Sequence, residues 1–307
     1  MTILLSRADV ERLLTPHACI AAVEEAFCEL AEGKVGPPGV LGMHGFHVKA
    51  ARLGTYFAAK LNANFPGNPA RGLPTIQGVV VLSDATDGRL LALMDSMSIT
   101  ALRTAAATAV AAKYLSREDS ETLLICGCGA QAAAQLAAVL AVRRPATVLS
   151  YDVDPAKRLA GATPVADLRE AIARSDIVVT CTTAKKYIVA MDMVRPGTFI
   201  AAVGADHEDK QEIDPQLMAR AKVVTDLTSQ AEKIGDLHHA LAAGAVVHAE
   251  LGELAAGKKP GRTSDDEITV FDSTGTGLQD VAAAIAAYQR ALAERAGTPF
   301  TFSQEEA

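Results

Sequence analysis

The chain has 307 residues, 50% of them apolar, and a formal net charge of −7. That length allows two domains with sizeable cores. The acidic balance, with no basic run longer than a pair, excludes a nucleic-acid footprint.

Arg7 and Asp9 interrupt the apolar start, so no signal peptide is expected. No uncharged apolar run approaches the ~20 residues of a membrane span, so no membrane partner is expected. The five cysteines are odd in number and match no zinc spacing. The expectation is a reduced, cytoplasmic protein without a metal site.

Residues 7–32 read as amphipathic helix, with Thr15 and Pro16 as a cap and first-turn pair. Glycine and proline are frequent over 33–54, which predicts loops and short strands. Residues 55–65 predict a strand in which Tyr56, Ala58 and Lys60 share one face and Phe57, Ala59 and Leu61 the other. A lysine so flanked is either an edge residue reaching for water or a buried charge with a partner. Residues 72–96 predict two strands around a turn at Asp87-Gly88. Residues 99–115 predict a helix that Thr100 could cap, with Arg103 about one turn in. Arg103 lies among Leu102, Ala105, Ala106 and Ala107, where a free guanidinium is costly. With the positive helix end, its planar fork suits a carboxylate.

After the charged link "SREDSE" the rhythm changes. Strand-like runs at 122–126, 147–151, 176–180, 198–203, 222–225 and 268–271 alternate with helical or turn-like stretches. This predicts an α/β protein with a doubly wound parallel sheet. Residues 277–296 predict one more helix, which could return to the first domain.

Gly127-x-Gly129-x-x-Ala132 matches the dinucleotide fingerprint, with a strand before it and a helix after. The first glycine permits the tight turn, and the second lets backbone approach a pyrophosphate. The third small residue lets helix and strand pack closely. Ala130 and Gln131, where the helix would begin, offer free N–H groups to the phosphates. Asp152, about 20 residues on, stands where a ribose-binding carboxylate is expected, and an acid there repels a 2′-phosphate. NAD(H) is therefore favoured, with NADP(H) as the alternative. Cys126 and Cys128 read as small buried fillers.

Several stretches together resemble the ornithine cyclodeaminase/μ-crystallin family: "AAKLNANFPGN", "GLPTIQGVVVLSDATDG", "ITALRTAAATAVAAKYL", "GCGAQA" and "EITVFDSTGTGLQDVAAA". The resemblance runs over nearly the whole chain. It implies a Rossmann-type domain (118–276) inserted into a discontinuous α+β substrate and dimerisation domain (1–117 plus 277–307). It implies NAD(P)-dependent chemistry on a small amino or imino acid, in a homodimer. Lys60 and Arg103 match the family's substrate-carboxylate residues. Asp206, in "VGADHEDKQEID", matches the acid that handles a proton or water beside the substrate amine; read alone, it is a loop aspartate capping a turn. Thr183 falls where the family's loop passes the cofactor, and Val203 and Gly204 complete the expected dinucleotide contacts.

Two departures bear on the substrate. Ornithine cyclodeaminases carry a further arginine in the early Pro-rich loop, where "GKVGPPGVLG" has none, although Lys49 is close. They also place a glutamate near the substrate's distal amine, at a place that falls on or near His47. A histidine holds an ammonium tail poorly; His47 is either a packed strand residue or a contact to the substrate side chain. A third departure is the short segment after Asp152, which predicts an abbreviated Rossmann half. The expected function is hydride transfer at Cα, interconverting a small imino acid and an amino acid. Arg103 and Lys60 would hold the carboxylate, and Asp206 the proton. Ornithine cyclodeamination is the enzymatic alternative, and a non-catalytic dinucleotide-binding protein the alternative of another class.

Overall fold

The computed structural model describes residues 1–302. It divides into two compact units, Met1–Arg103 with Thr276–Ala307, and Thr104–Gly275. The first division falls inside the helix Ser96–Leu115, whereas the sequence reading ended the front domain after that helix.

The discontinuous unit is built on a seven-stranded mixed sheet. Its strands run in the order Thr298–Phe300, Thr2–Leu5, Leu90–Asp95, Ile76–Asp84, Tyr56–Asn64, Phe46–Leu53, Gly39–Met43. Alternation sorts its two faces. Ala51, Ala58, Lys60, Val80, Leu82, Ala92 and Met94 are buried on one face, against which the helix Gly277–Glu294 packs, and Pro16–Ala31 packs on that helix. Leu41, Met43, Phe46, Phe57 and Leu61 point the other way and are exposed. In register, Leu41 pairs with Val48, Val48 with Leu61 and Leu61 with Val79, so an apolar row crosses four strands.

Local signals set the ends of the elements. Thr15 Oγ1 accepts from the Ala18 N–H and Pro16 opens the helix, as the residue types predict. One expectation is corrected. Thr100 does not cap the next helix, because the chain passes from strand Leu90–Asp95 directly into it, and Asp95 Oδ2 takes the Ser98 N–H at 2.7 Å. Arg103 therefore sits about two turns in, away from the positive end of its own helix.

The continuous unit carries an eight-stranded parallel sheet, in the order Val247–Glu250, Lys222–Thr225, Thr269–Asp272, Phe199–Ala202, Ile177–Thr180, Thr122–Cys126, Thr147–Tyr151, Thr163–Pro164. From Thr122–Cys126 the chain steps outward to 147–151 and 163–164, then returns to add 177–180 on the other flank. This reversal of strand order makes a crevice at the carboxyl ends of Thr122–Cys126 and Ile177–Thr180. The core is continuous through Leu124, Val178, Ile200, Val223 and Val270, all fully buried. The third strand of the first half is two residues long and no helix precedes it, the abbreviation that the short segment predicted. A small parallel pair, Lys185–Val189 with Gln211–Ile213, lies outside the main sheet.

Candidate active site

Lys60 lies on an interior strand, opposite Lys49 on one side and Val80 on the other. It is a buried charge with a partner: its Nζ donates to Asp280 Oδ1 at 2.8 Å and to Thr100 Oγ1 at 3.1 Å. Arg103 Nε donates to the same Asp280 oxygen at 2.8 Å, and its Nη1 to Gln279 Oε1 at 2.7 Å. The tail helix brings these acceptors in through Gly277. A Cβ at Gly277 would lie 2.7 Å from the Ala50 carbonyl, so only glycine lets the helix start this close to the strand. Asp280 sits in the first turn of that helix, where a carboxylate also meets the positive helix end.

Two cations thus share one carboxylate oxygen, which leaves net positive charge in a buried place. Asp280 Oδ2, Asn62 Oδ1, Ser96 Oγ and Thr276 Oγ1 are buried and take no partner from the protein. Leaving such groups unsatisfied costs about 1–3 kcal/mol each, so the cluster is built to receive water or a polar ligand. Burial pulls the Lys60 pKa down, Asp280 opposes it, and the Arg103 and Lys49 charges add to the fall, which ends at about 7. For Asp280, burial raises the pKa but the Lys60 and Arg103 charges outweigh it and hold the carboxyl below its ordinary value. His47 pairs in register with Asn62, one residue pair beyond Lys49 and Lys60 on the same face. The structure therefore gathers Lys49, Lys60 and Arg103 around Asp280 and sets His47 alongside.

In the continuous unit, the glycine turn leaves strand Thr122–Cys126. Gly127 has φ +98°, and a Cβ there would lie 2.8 Å from the Cys181 carbonyl oxygen. Gly129 and Ala130 are exposed, and nothing lies within 4 Å of a Cβ at Gly129. Ala132–Val142 follows as a helix, and Gln131 Oε1 is buried without a protein partner. This turn, with open space at its second glycine and a helix start behind it, fits a pyrophosphate. Asp152 Oδ2 accepts from the Cys128 N–H at 2.8 Å and Oδ1 from Asp154 N–H at 2.9 Å. Burial raises its pKa, but these N–H groups and Lys157, at 3.5 Å, hold it below the ordinary value. Cys126 is buried beside the turn, whereas Cys128 is half-buried.

Thr183 is exposed after strand Ile177–Thr180, and Val203 and Gly204 follow strand Phe199–Ala202. These strands are neighbours. The expected dinucleotide residues, Asp152 included, thus lie at the carboxyl ends of four adjacent strands. Asp206 stands beyond them, 57% exposed, 2.5 Å from Lys210 Nζ.

Sequence reasoning assigned no role to Asp280, Gln279 or Glu212. Asp280 and Gln279 were in view in "TGLQDVAAA", but an aspartate in a first helical turn reads simply as complementing the helix end. Only the tertiary return of that helix reveals its partners. Glu212 is hidden in the charged run "HEDKQEID" and yet is fully buried.

The sequence pattern of the ornithine cyclodeaminase/mu-crystallin family matches residues 1–295. An alanine dehydrogenase of Archaeoglobus fulgidus is 38% identical over 317 aligned positions, covering 98% of each chain. Among solved structures, an archaeal alanine dehydrogenase dimer with bound NAD superposes with TM-score 0.92 at 38% identity, covering 98% of this chain and 99% of that one. A Thermococcus litoralis Delta(1)-pyrroline-2-carboxylate reductase, in complex with NADH and L-proline, superposes with TM-score 0.91 at 36% identity, covering 97% and 100%.

Proposed function

The chain belongs to the ornithine cyclodeaminase/mu-crystallin family, and on that footing we propose that it is an NAD(P)-dependent oxidoreductase interconverting a small imino acid and the matching amino acid. The observation that carries this reading is the sharing of one Asp280 oxygen by Lys60 and Arg103. The surplus positive charge suits the α-carboxylate of a ketimine, a cyclic imine or an amino acid. The relatives named above act, by their names, on alanine or on pyrroline-2-carboxylate, and both molecules carry a carboxylate beside the carbon that is oxidised or reduced.

In this mechanism Arg103 and Lys60 bind the carboxylate and fix the orientation of Cα. Gly127, Gly129, Ala130 and Gln131 hold the pyrophosphate. Asp152 binds the ribose diol and disfavours a 2′-phosphate, so NAD(H) is preferred over NADP(H). Thr183, Val203 and Gly204 line the rest of the dinucleotide. When bound, the nicotinamide cofactor would supply the hydride donor or acceptor. Asp206 takes the amine proton in the oxidative direction and returns it to the imine in the reductive one. Lys49 adds to the positive field, and His47 contacts the substrate side chain in place of an acid, which disfavours a diamino acid. The enzyme is a homodimer, and the exposed apolar face of the front sheet is its contact surface.

The test is a substrate panel followed at the NADH wavelength with both cofactors: pyruvate plus ammonia, cyclic imines, alanine, proline and ornithine. Turnover of an imine or of a simple amino acid is the expected result. NADH binding without any turnover would mark a non-catalytic binding protein. Proline with released ammonia from ornithine would reverse the ranking in favour of cyclodeamination.

A further inference from the structure

Glu212 is buried in the strand Gln211–Ile213, and its carboxylate is divided between two loops. Oε1 accepts from the Thr182 N–H at 2.7 Å and from Thr182 Oγ1 at 2.6 Å. Oε2 accepts from the Gly204 N–H at 2.8 Å and from Thr180 Oγ1 at 2.7 Å. The two loops leave neighbouring parallel strands at their carboxyl ends. The first carries Thr183; the second carries Asp206 and returns to Glu212 itself. Their approach is close enough to require glycine at 204, where a Cβ would lie 2.6 Å from the Glu212 carboxyl carbon. Glu212 is held from behind as well. Its own N–H and that of Ile213 both donate to Asp236 Oδ1 at 2.8 Å, and the Leu237 N–H donates to Asp272 Oδ2 at 2.8 Å.

Burying an acid is costly, and only a group with acceptors at both ends satisfies this place. An amide has one acceptor and one donor, so it would set an N–H against either Thr182 or Gly204. We propose that Glu212 is a positioning residue that clasps the Asp206 loop to the Thr182–Thr183 segment, so that the proton-handling acid and the dinucleotide contacts are held as one rigid piece. This rests on the roles given above to Asp206 and Thr183.

The test is Glu212→Gln in the full chain, read by hydrogen exchange and by kinetics. Peptides covering 181–184 and 203–210 should both exchange about tenfold faster or more, with little change in strand Thr122–Cys126. The value of kcat should fall about tenfold to a hundredfold, while substrate KM, set by Lys60 and Arg103, stays within about twofold. Combining it with Asp206→Asn should cost less in kcat than the product of the two single losses. Exchange that is unchanged, raised in one segment only or raised throughout the unit would overturn the clasp. Should Glu212→Gln not fold, Thr182→Val removes one donor and should produce a smaller rise in the same two segments, with the same outcomes deciding. If Asp206→Asn alone leaves kcat intact, the proton-handling role falls, and the exchange data still decide the clasp.

Discussion

Arg103 gives up solvent for two partners, Asp280 and Gln279, and in the proposed complex it adds a substrate carboxylate. Charge-assisted bonds of this kind contribute about 1.5–3 kcal/mol. Arg103→Ala should therefore raise KM about tenfold to a hundredfold for any carboxylate substrate, and an unchanged KM in steady-state assays would remove the arginine from the site. Lys60 adds a pH dependence. With its pKa at about 7 before substrate arrives, the ammonium is fully present below that pH and is lost above it. KM should rise by up to about tenfold per pH unit above pH 7, and Lys60→Arg should flatten the rise between pH 7 and 9. A lysine whose charge is supported by its surroundings would show the same rise only at much higher pH, above its ordinary pKa of about 10.4.

Asp236 supplies a stability test. Burial, Asp272 and Glu212 raise its pKa well above the ordinary value. The folded state keeps a proton that the unfolded chain gives up above about pH 4, so this group lowers stability as pH rises towards its folded pKa. Asp236→Asn should become more stable relative to the parent between pH 5 and 7, by up to about 1.4 kcal/mol per pH unit. Denaturant melts at the two pH values check it, and a difference independent of pH would refute it. At this scale the sequence was legible where a residue was out of place. Lys60 and Arg103 stood out because cations among apolar neighbours demand an explanation. Asp280, Glu212 and Asp236 did not, because an acid in a polar stretch demands none until its burial is known.

Among the elements, strongly patterned ones could be read directly: the helices following Thr15 and Asp95, the strand of Lys60, and the strand, glycine turn and helix from Thr122 to Val142. Thr2–Leu5, Thr298–Phe300 and Val247–Glu250 went unread. They are three or four residues long, too short for alternation to register, and their partners are distant in sequence. The end of strand Thr147–Tyr151 carries its own prediction. Asp152 is held ionised beside the glycine turn, so the approach of a 2′-phosphate there is repulsive. Asp152→Ser should raise the NADP(H)/NAD(H) ratio of kcat/KM about tenfold or more, and a ratio that does not move would refute the assignment of Asp152 to the ribose.

For the molecule as a whole, the proposed dimer follows from the outward side of the front sheet, where Leu41, Phe46, Phe57 and Leu61 stay exposed. Burying a side chain of this size contributes about 1.5–3 kcal/mol, so a charge set in the middle of the row should be decisive. Leu61→Asp should shift the dimer to monomer in light scattering at micromolar concentration, and a parent protein that is itself monomeric would refute the dimer.

The front unit is closed by the last tenth of the polypeptide. Asp280 meets Lys60 across 220 positions of chain, whereas Thr104–Gly275 is unbroken. During synthesis the unbroken part can condense as it emerges. The strands ahead of it must wait, with their inner face uncovered, until the ribosome has released the segment beyond Thr276. A nascent chain stalled there would carry one finished unit and one sticky, unfinished sheet. Chaperone dependence is therefore expected to be concentrated in the earliest-made third of this protein.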